Sequence, residues 1–281
     1  MPEDKRKVGP VYRVLAQDLY STDLHAEEMG FRQTEMWRSK SRQFTKDSNI
    51  IGKIVERRFK NNKLTKREKT GFVVIRRSLW HGETNESSRR LVLKLFSESG
   101  GWLATLEEMV ADSYAHSFAT GESMLSFVVI VKDVEIVTQI RQVRRTGFAT
   151  ETYAFYILGP DGTFEVFRIE GKRGTLGDDF RVIRLEGGQT VAVIDSKFGD
   201  IGGEFIVRVK DPILARNDWF CRVLQCFSVI VRHRAEIRQK VERVVKRWGK
   251  KKEEPLQHRH EISLLANPRK LTLSLDELEE V

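Results

Sequence analysis

The chain has few cysteines, and those it has do not suggest a cross-linked fold. Only two of its 281 residues are cysteines. Cys221 and Cys226 lie five positions apart in a segment with a helical pattern, which is a poor geometry for a disulfide. No zinc-ligand spacing is present either. This usage is typical of a reducing compartment, so we predict a cytoplasmic protein.

Long apolar runs are also missing. No stretch of about 18 residues is both apolar and free of charge, so the sequence predicts no transmembrane helix. The first ten residues, MPEDKRKVGP, lack the apolar segment of a secretory signal, and none is expected. Any membrane contact should therefore be peripheral.

The common catalytic and cofactor motifs are absent as well. The chain has no GxGxxG before a helix, no P-loop, no HExxH and no GxSxG. Its six histidines are scattered, and only His258 and His260 are close together, in a polar tail. We therefore predict no catalytic residue, no metal site and no cofactor, and expect a protein that is not an enzyme.

Positive charge is abundant but unevenly distributed. The formal net charge is +9. Residues 1–70 and 232–252 carry the excess of lysine and arginine, whereas residues 71–231 are nearly neutral and residues 253–281 are acidic. Basic flanks of this kind favour a polyanionic partner, which is an anionic membrane, a nucleic acid or an acidic protein surface.

The pattern of the chain divides it into three regions. Residues 1–70 are predicted to be a basic N-terminal arm, residues 71–231 a β-rich domain, and residues 232–281 a basic amphipathic helix with an acidic tail. Within the domain, 89–96 alternates like a half-buried strand, and 101–118 has apolar residues at helical spacing. Turns at 159–162 and 187–188 predict two hairpins.

The segment WFCRVLQCFSVIV (219–231) is apolar on nearly every face of a helix but too short to cross a membrane. We expect such a helix, over 213–231, to be buried in protein. A single sheet face cannot cover all its sides, whereas a barrel can. The sequence therefore predicts a mainly β (α+β) fold, an antiparallel β-barrel wrapped around a buried hydrophobic helix, with helical or disordered basic flanks.

One nine-residue pattern occurs twice, as KRGTLGDDF (172–180) and KFGDIGGEF (197–205), and a weaker copy is RTGFATETY (145–153). Each period has the length of one hairpin, so the three loops should lie side by side at one end of the barrel, the repeat end. Backbone N–H groups of such loops bind anions. The candidate anion- or lipid-binding residues are Arg144, Arg145, Lys172, Arg173 and Lys197. The alternative is that these are ordinary solvated turn residues.

Residues 126–231, with hairpins separated by basic-Gly loops and then the apolar helix, resemble the tubby C-terminal-like superfamily, especially its LURP-one-related and phospholipid scramblase branches. The resemblance implies a closed barrel of about twelve antiparallel strands around a central helix. It also implies binding of phosphoinositide head groups by lysine and arginine, or, by likeness to the scramblases, association with membranes and movement of phospholipids between the two leaflets. Scramblases have an acidic segment before this helix that is associated with calcium binding. In this chain the nearby carboxylates are Asp200, Glu204, Asp211 and Asp218, and their spacing does not match a calcium-binding loop.

Three functions remain open at this stage. The favoured one is non-enzymatic binding of anionic phospholipid head groups at a membrane surface, with Arg243, Lys246, Arg247 and Trp248 of the basic helix as membrane contacts. The second is a nucleic-acid-associated protein that uses the basic arm and the C-terminal helix. The third is a protein-interaction adaptor.

Overall fold

The structure, a computed structural model, describes most of the chain. The described residues are 10–19, 43–60, 63–82, 85–144, 151–159, 162–172, 179–197, 203–252 and 261. The side chains of Arg144 and Lys197 lie outside this description.

The described residues form mainly β-strands. Two helices of more than two turns accompany them, α1 (Val110–Thr120) and α2 (Asp218–Gly249). The strands are β1 (Arg13–Leu19), β2 (Ser48–Lys60), β3 (Lys63–Leu64), β4 (Glu68–Arg76), β5 (Val92–Ser97), β6 (Trp102–Glu108), β7 (Ser126–Val131), β8 (Thr138–Arg144), β9 (Thr152–Leu158), β10 (Phe164–Gly171), β11 (Phe180–Arg184), β12 (Thr190–Lys197) and β13 (Glu204–Val209).

Twelve of these strands form a closed antiparallel barrel. Every strand from β4 to β13 pairs with its neighbours in sequence, and β4 pairs with β2. β1 closes the ring because it pairs with β13 on one side and with β2 on the other. The short β3 pairs with β2 outside the ring. A mainly β antiparallel barrel is therefore confirmed.

The N-terminal boundary differs from the sequence prediction. Residues 1–70 were expected to be an arm outside the barrel, but β1 and β2 are two of its twelve strands. The strand pattern of β1 is hidden because its buried face carries Arg13 and Gln17 beside Leu15 and Leu19. β2 and β1 approach so closely that a Cβ on Gly52 would lie 2.7 Å from the carbonyl oxygen of Asp18.

Residues 101–118 also differ from the prediction of a single helix. The first part is strand β6, and only Val110–Thr120 is helical. Leu106 packs in the core from β6, and Glu108 is buried at the end of the same strand. The apolar residues therefore satisfy a helical spacing by coincidence, because a strand and a helix meet at Met109.

The first half of α2 is buried on nearly all sides, as its apolar pattern predicts. Its rings contact the buried faces of β9, β10 and β11. Phe220 lies 5.0 Å from Phe167, and Phe227 lies 5.0 Å from Tyr153 and 5.4 Å from Phe180, measured between ring centroids. The helix begins later than expected, at Asp218, because the Asn217 side chain accepts a hydrogen bond from the Phe220 amide and caps it. It continues without a break to Gly249, so the apolar helix and the basic helix of the sequence prediction are one element.

A buried ion-pair cluster joins β1, β2 and α2. Arg13 donates to Glu56 at 2.9 Å and to Asp218 at 2.7 Å, and Arg222 donates to Glu56 at 3.1 Å. Burial opposes ionisation of Glu56, but the charges of Arg13 and Arg222 outweigh it, so its pKa lies below the usual value. Deeper in the same contact, Ser228 donates to Gln17 at 2.8 Å.

The barrel has two distinct ends. β8, β10 and β12 finish at the repeat end, as the register of their pairs with β9, β11 and β13 requires. The opposite end, called the hairpin end below, carries the β2–β4 connection and the turn before α2. α2 starts at the hairpin end and extends to the repeat end, where Arg234 contacts Glu151.

We predict that Leu15→Ala lowers the free energy of unfolding by about 2–5 kcal/mol, since Leu15 is fully buried in the core. Val14→Ala, on the other face of the same strand, should cost clearly less. Urea denaturation of both variants measures the difference. Equal and negligible effects would mean that β1 is a detachable arm.

Candidate functional site

The predicted basic cluster at the repeat end is only partly visible. Arg144 is the last residue of β8 and Lys197 the last of β12, so both strand ends lie at this end. Arg145 and Arg173 lie outside the described residues. Lys172 is the one member whose side chain the structure describes. The binding role of the cluster stays a prediction.

Lys172 forms ion pairs within the protein. Its Nζ lies 3.0 Å from Asp195 and 3.9 Å from Asp179. Both carboxylates belong to neighbouring strand ends, so much of the charge of Lys172 is compensated where it stands. The repeat loops thus bring acidic as well as basic groups to the repeat end.

The basic half of α2 is also held against the barrel. Arg243 and Arg247 both bind Glu86, at 2.5 and 2.8 Å. Arg234 and Arg238 both bind Glu151. Intramolecular carboxylates therefore already neutralise a large part of this basic face.

The other two predicted membrane contacts of α2 differ from each other. Trp248 is half-buried and its ring lies 4.7 Å from that of Phe118. Lys246 is exposed. Three of the four predicted contacts, Arg243, Arg247 and Trp248, thus make contacts with the protein itself.

A buried charge pair and a capping carboxylate lie beside these contacts. Lys240 donates to Glu108 at 2.5 Å and to the carbonyl of Arg89 at 2.7 Å. Glu261 accepts hydrogen bonds from the amides of Val110 and Ala111 at 2.8 and 2.9 Å and so caps α1. Burial raises the pKa of Glu261 to about 7.

The hairpin end carries a strong local excess of positive charge. Between Glu56 and Lys69 the sequence has seven cations and two carboxylates. The structure forms this segment into the β2–β3–β4 hairpin, where most of the cationic side chains are exposed. Its cations are Arg57, Arg58, Lys60, Lys63, Lys66, Arg67 and Lys69. The sequence prediction placed these residues in the basic N-terminal arm, outside the barrel.

A groove lies on the outer face of the barrel next to this hairpin. Its floor is apolar and comes from three adjacent strands, with Ala16 on β1 paired to Val55 on β2 and to Ile206 on β13. The small side chain of Ala16 between two branched neighbours leaves the depression. The groove has a volume of about 310 Å³.

Three arginines border the groove. Arg57 and Arg208 are both paired in register with Val14, so they flank the floor from opposite sides, and Arg67 stands in the hairpin. Arg57 donates from Nε to the carbonyl of Thr65 at 2.9 Å, Arg67 binds Glu204, and Arg208 binds Asp195. These contacts fix three guanidinium groups around one apolar floor. Glu204, which also lines the groove, and Asp195 compensate part of the charge of Arg67 and Arg208.

The described residues contain neither a metal-binding cluster nor a membrane-spanning helix. No group of three histidine, cysteine, aspartate or glutamate side chains lies close enough to hold a metal ion in the part of the chain that the structure describes. Neither described helix is both long and apolar enough to cross a bilayer.

Comparison of the chain with protein-family models, curated proteins and solved structures finds no match in any of the three. The resemblance of residues 126–231 to the tubby C-terminal-like superfamily therefore stays a hypothesis. A closed barrel hosts unrelated functions in different proteins, so the fold by itself carries no function.

We predict that Glu261 makes the protein less stable as the pH rises from about 4.5 to about 7. Its pKa in the folded protein lies above its value of 4.5 in the unfolded chain, so over this interval only the folded state keeps the proton. The loss should approach roughly 3 kcal/mol. Urea denaturation across this range should show a flatter pH dependence for Glu261→Gln, whereas Glu122→Gln, at an exposed site, should match the parent protein. An unchanged slope in Glu261→Gln would contradict the prediction.

Proposed function

We propose that this protein is a non-enzymatic binding module for anionic phospholipids at a membrane surface, and that the groove over β2, β1 and β13 receives the lipid. The observation that carries the proposal is the combination of an apolar floor with three arginines at its border. An anionic lipid presents the same two chemistries, an anionic head group next to a hydrocarbon region.

The arginines suit a phosphate ligand. A guanidinium group offers several N–H donors in a planar fork that matches a phosphate. Arg57 and Arg208 stand on either side of Val14, so a head group between them would accept hydrogen bonds from both. The floor formed by Ala16, Val55 and Ile206 would meet the apolar part of the lipid next to the head group.

The neighbouring hairpin adds attraction at longer range. Each lysine or arginine near an anionic membrane contributes about 1 kcal/mol, and the effect is screened by salt. The other cations of residues 57–69 are exposed and lie in the same hairpin as the groove residues Arg57 and Arg67. The hairpin should therefore raise the affinity for an anionic membrane and make it sensitive to ionic strength.

We further infer that the apolar half of α2 runs through the barrel interior. Successive contacts support this arrangement. Phe220 packs on Phe167, Phe227 packs on Tyr153, and Arg234 reaches Glu151 at the repeat end. A helix in this position would fill the barrel, and the outer wall would be left to bind the ligand.

Replacing the three groove arginines by glutamine (Arg57→Gln, Arg67→Gln and Arg208→Gln together) should weaken binding to anionic vesicles by on the order of 100-fold, at about 1 kcal/mol per charge. Co-sedimentation with vesicles of phosphatidylcholine alone, of phosphatidylcholine with phosphatidylserine, and of phosphatidylcholine with a phosphoinositide, each across a salt series, measures the effect. The parent protein should bind only the two anionic mixtures.

The matched control removes the same charge elsewhere. Lys172→Gln, Arg173→Gln and Lys197→Gln together take three positive charges from the repeat end and should leave most of the binding intact. Loss of binding in this variant alone would place the site at the repeat end and contradict the groove. The nucleic-acid function would be favoured if the parent protein did not bind anionic vesicles but retarded a nucleic acid in a gel mobility-shift assay at the same salt concentration.

A further inference from the structure

We infer that the hairpin end of the barrel faces the bilayer and inserts exposed apolar side chains, led by Phe164 and Ile213, into its interface. The inference rests on the proposed function and adds the orientation of the barrel on the membrane. It concerns a surface distinct from the groove and from the predicted basic residues of the repeat end.

Among the described residues, the exposed large apolar side chains are concentrated at one end. Among the described residues there are nine of them, and seven lie toward the hairpin end. These seven are Phe59, Ile136, Tyr156, Phe164, Val166, Leu185 and Ile213. The other two, Phe118 and Val143, lie in the described part of the repeat end, and Phe118 packs on Trp248. Apolar groups gathered in this way mark an interaction surface more often than scattered ones do.

Four of these residues form one continuous patch on the outer wall. Tyr156 pairs in register with Val166, and its ring lies 5.1 Å from that of Phe164. The amide of Leu185 donates to the carbonyl of Val166 at 2.9 Å, which places Leu185 at the edge of the patch. Phe164 is the most open of the four, with 66% of its surface exposed.

The turn before α2 projects a fifth apolar side chain beside the patch. Asp211 accepts hydrogen bonds from the amides of Ile213 and Leu214, and its carboxylate also binds Arg184, the residue before Leu185. Leu214 is buried and anchors the turn, whereas Ile213 is 69% exposed. The turn is therefore held rigidly with Ile213 pointing away from the barrel.

Charge identifies an anionic bilayer as the partner. The basic hairpin and the groove arginines lie at the same end as the apolar patch; β12 separates the patch from the groove, and β12, β13 and β1 separate it from the hairpin. Apolar groups next to cations match the interface of a membrane that contains anionic lipids. A second copy that used the same end would bring two basic hairpins together, which disfavours a dimer through this surface.

The experiment places an environment-sensitive thiol-reactive fluorophore at single positions. The native thiols do not interfere, because Cys221 and Cys226 are buried and burial raises their pKa to about 11 and 12. The two test variants are Phe164→Cys and Ile213→Cys. The control is Glu122→Cys, at an exposed position after α1 at the repeat end.

With vesicles of phosphatidylcholine and phosphatidylserine, labels at positions 164 and 213 should shift their emission to the blue and be quenched by nitroxide-bearing lipids. The label at position 122 should do neither. If the protein co-sediments with the vesicles but the labels at 164 and 213 do not respond, the orientation is wrong and the proposed function stands. If the protein does not co-sediment with any anionic vesicle, the proposed function itself fails, and the orientation fails with it.

A second variant tests the energetic contribution of the patch. Phe164→Ala and Ile213→Ala together remove exposed side chains, so the unfolding midpoint should not change. Affinity for the anionic vesicles should fall by at least about tenfold. An unchanged affinity would overturn the inference, as would a blue shift confined to position 122.

Discussion

The structure depends on the double pairing of strand β1. β1 closes the barrel by bonding to β13 and to β2, and its two faces serve different purposes. On the buried face, Arg13 and Gln17 hold α2 through Glu56, Asp218 and Ser228. On the outer face, Val14 and Ala16 form the floor of the groove. Barrel closure, attachment of the helix and the candidate lipid site therefore share one strand.

Much of the β-rich domain could be predicted from the sequence. The hairpins β9–β10 and β11–β12, the strand pattern of β5 and the continuous helix α2 all follow from local periodicity and turn residues. The strand β1 could not be found in this way, because Arg13 and Gln17 occupy buried positions and remove the alternation of polar and apolar residues. Their partners, Glu56 and Ser228, lie far away in sequence, so only the folded structure shows why polar groups are tolerated there.

The candidate site was missed for a related reason. The charge run at residues 56–69 is obvious in the sequence, but its position next to Ala16 and Ile206 follows from β1 lying between β2 and β13. The ion pairs of the basic helix could not be predicted either. Its cations are visible in the sequence, whereas the carboxylates that bind them, Glu86 and Glu151, come from distant segments.

In the proposed orientation the two ends of the barrel have different roles, and the hairpin end faces an anionic membrane. Amide hydrogen exchange of the protein with and without vesicles containing phosphatidylserine tests this most directly. Protection on vesicle binding should appear in residues 56–69, 162–166 and 210–216, while residues 85–91 and 109–122 exchange as before. Protection confined to the repeat-end segments would contradict the account.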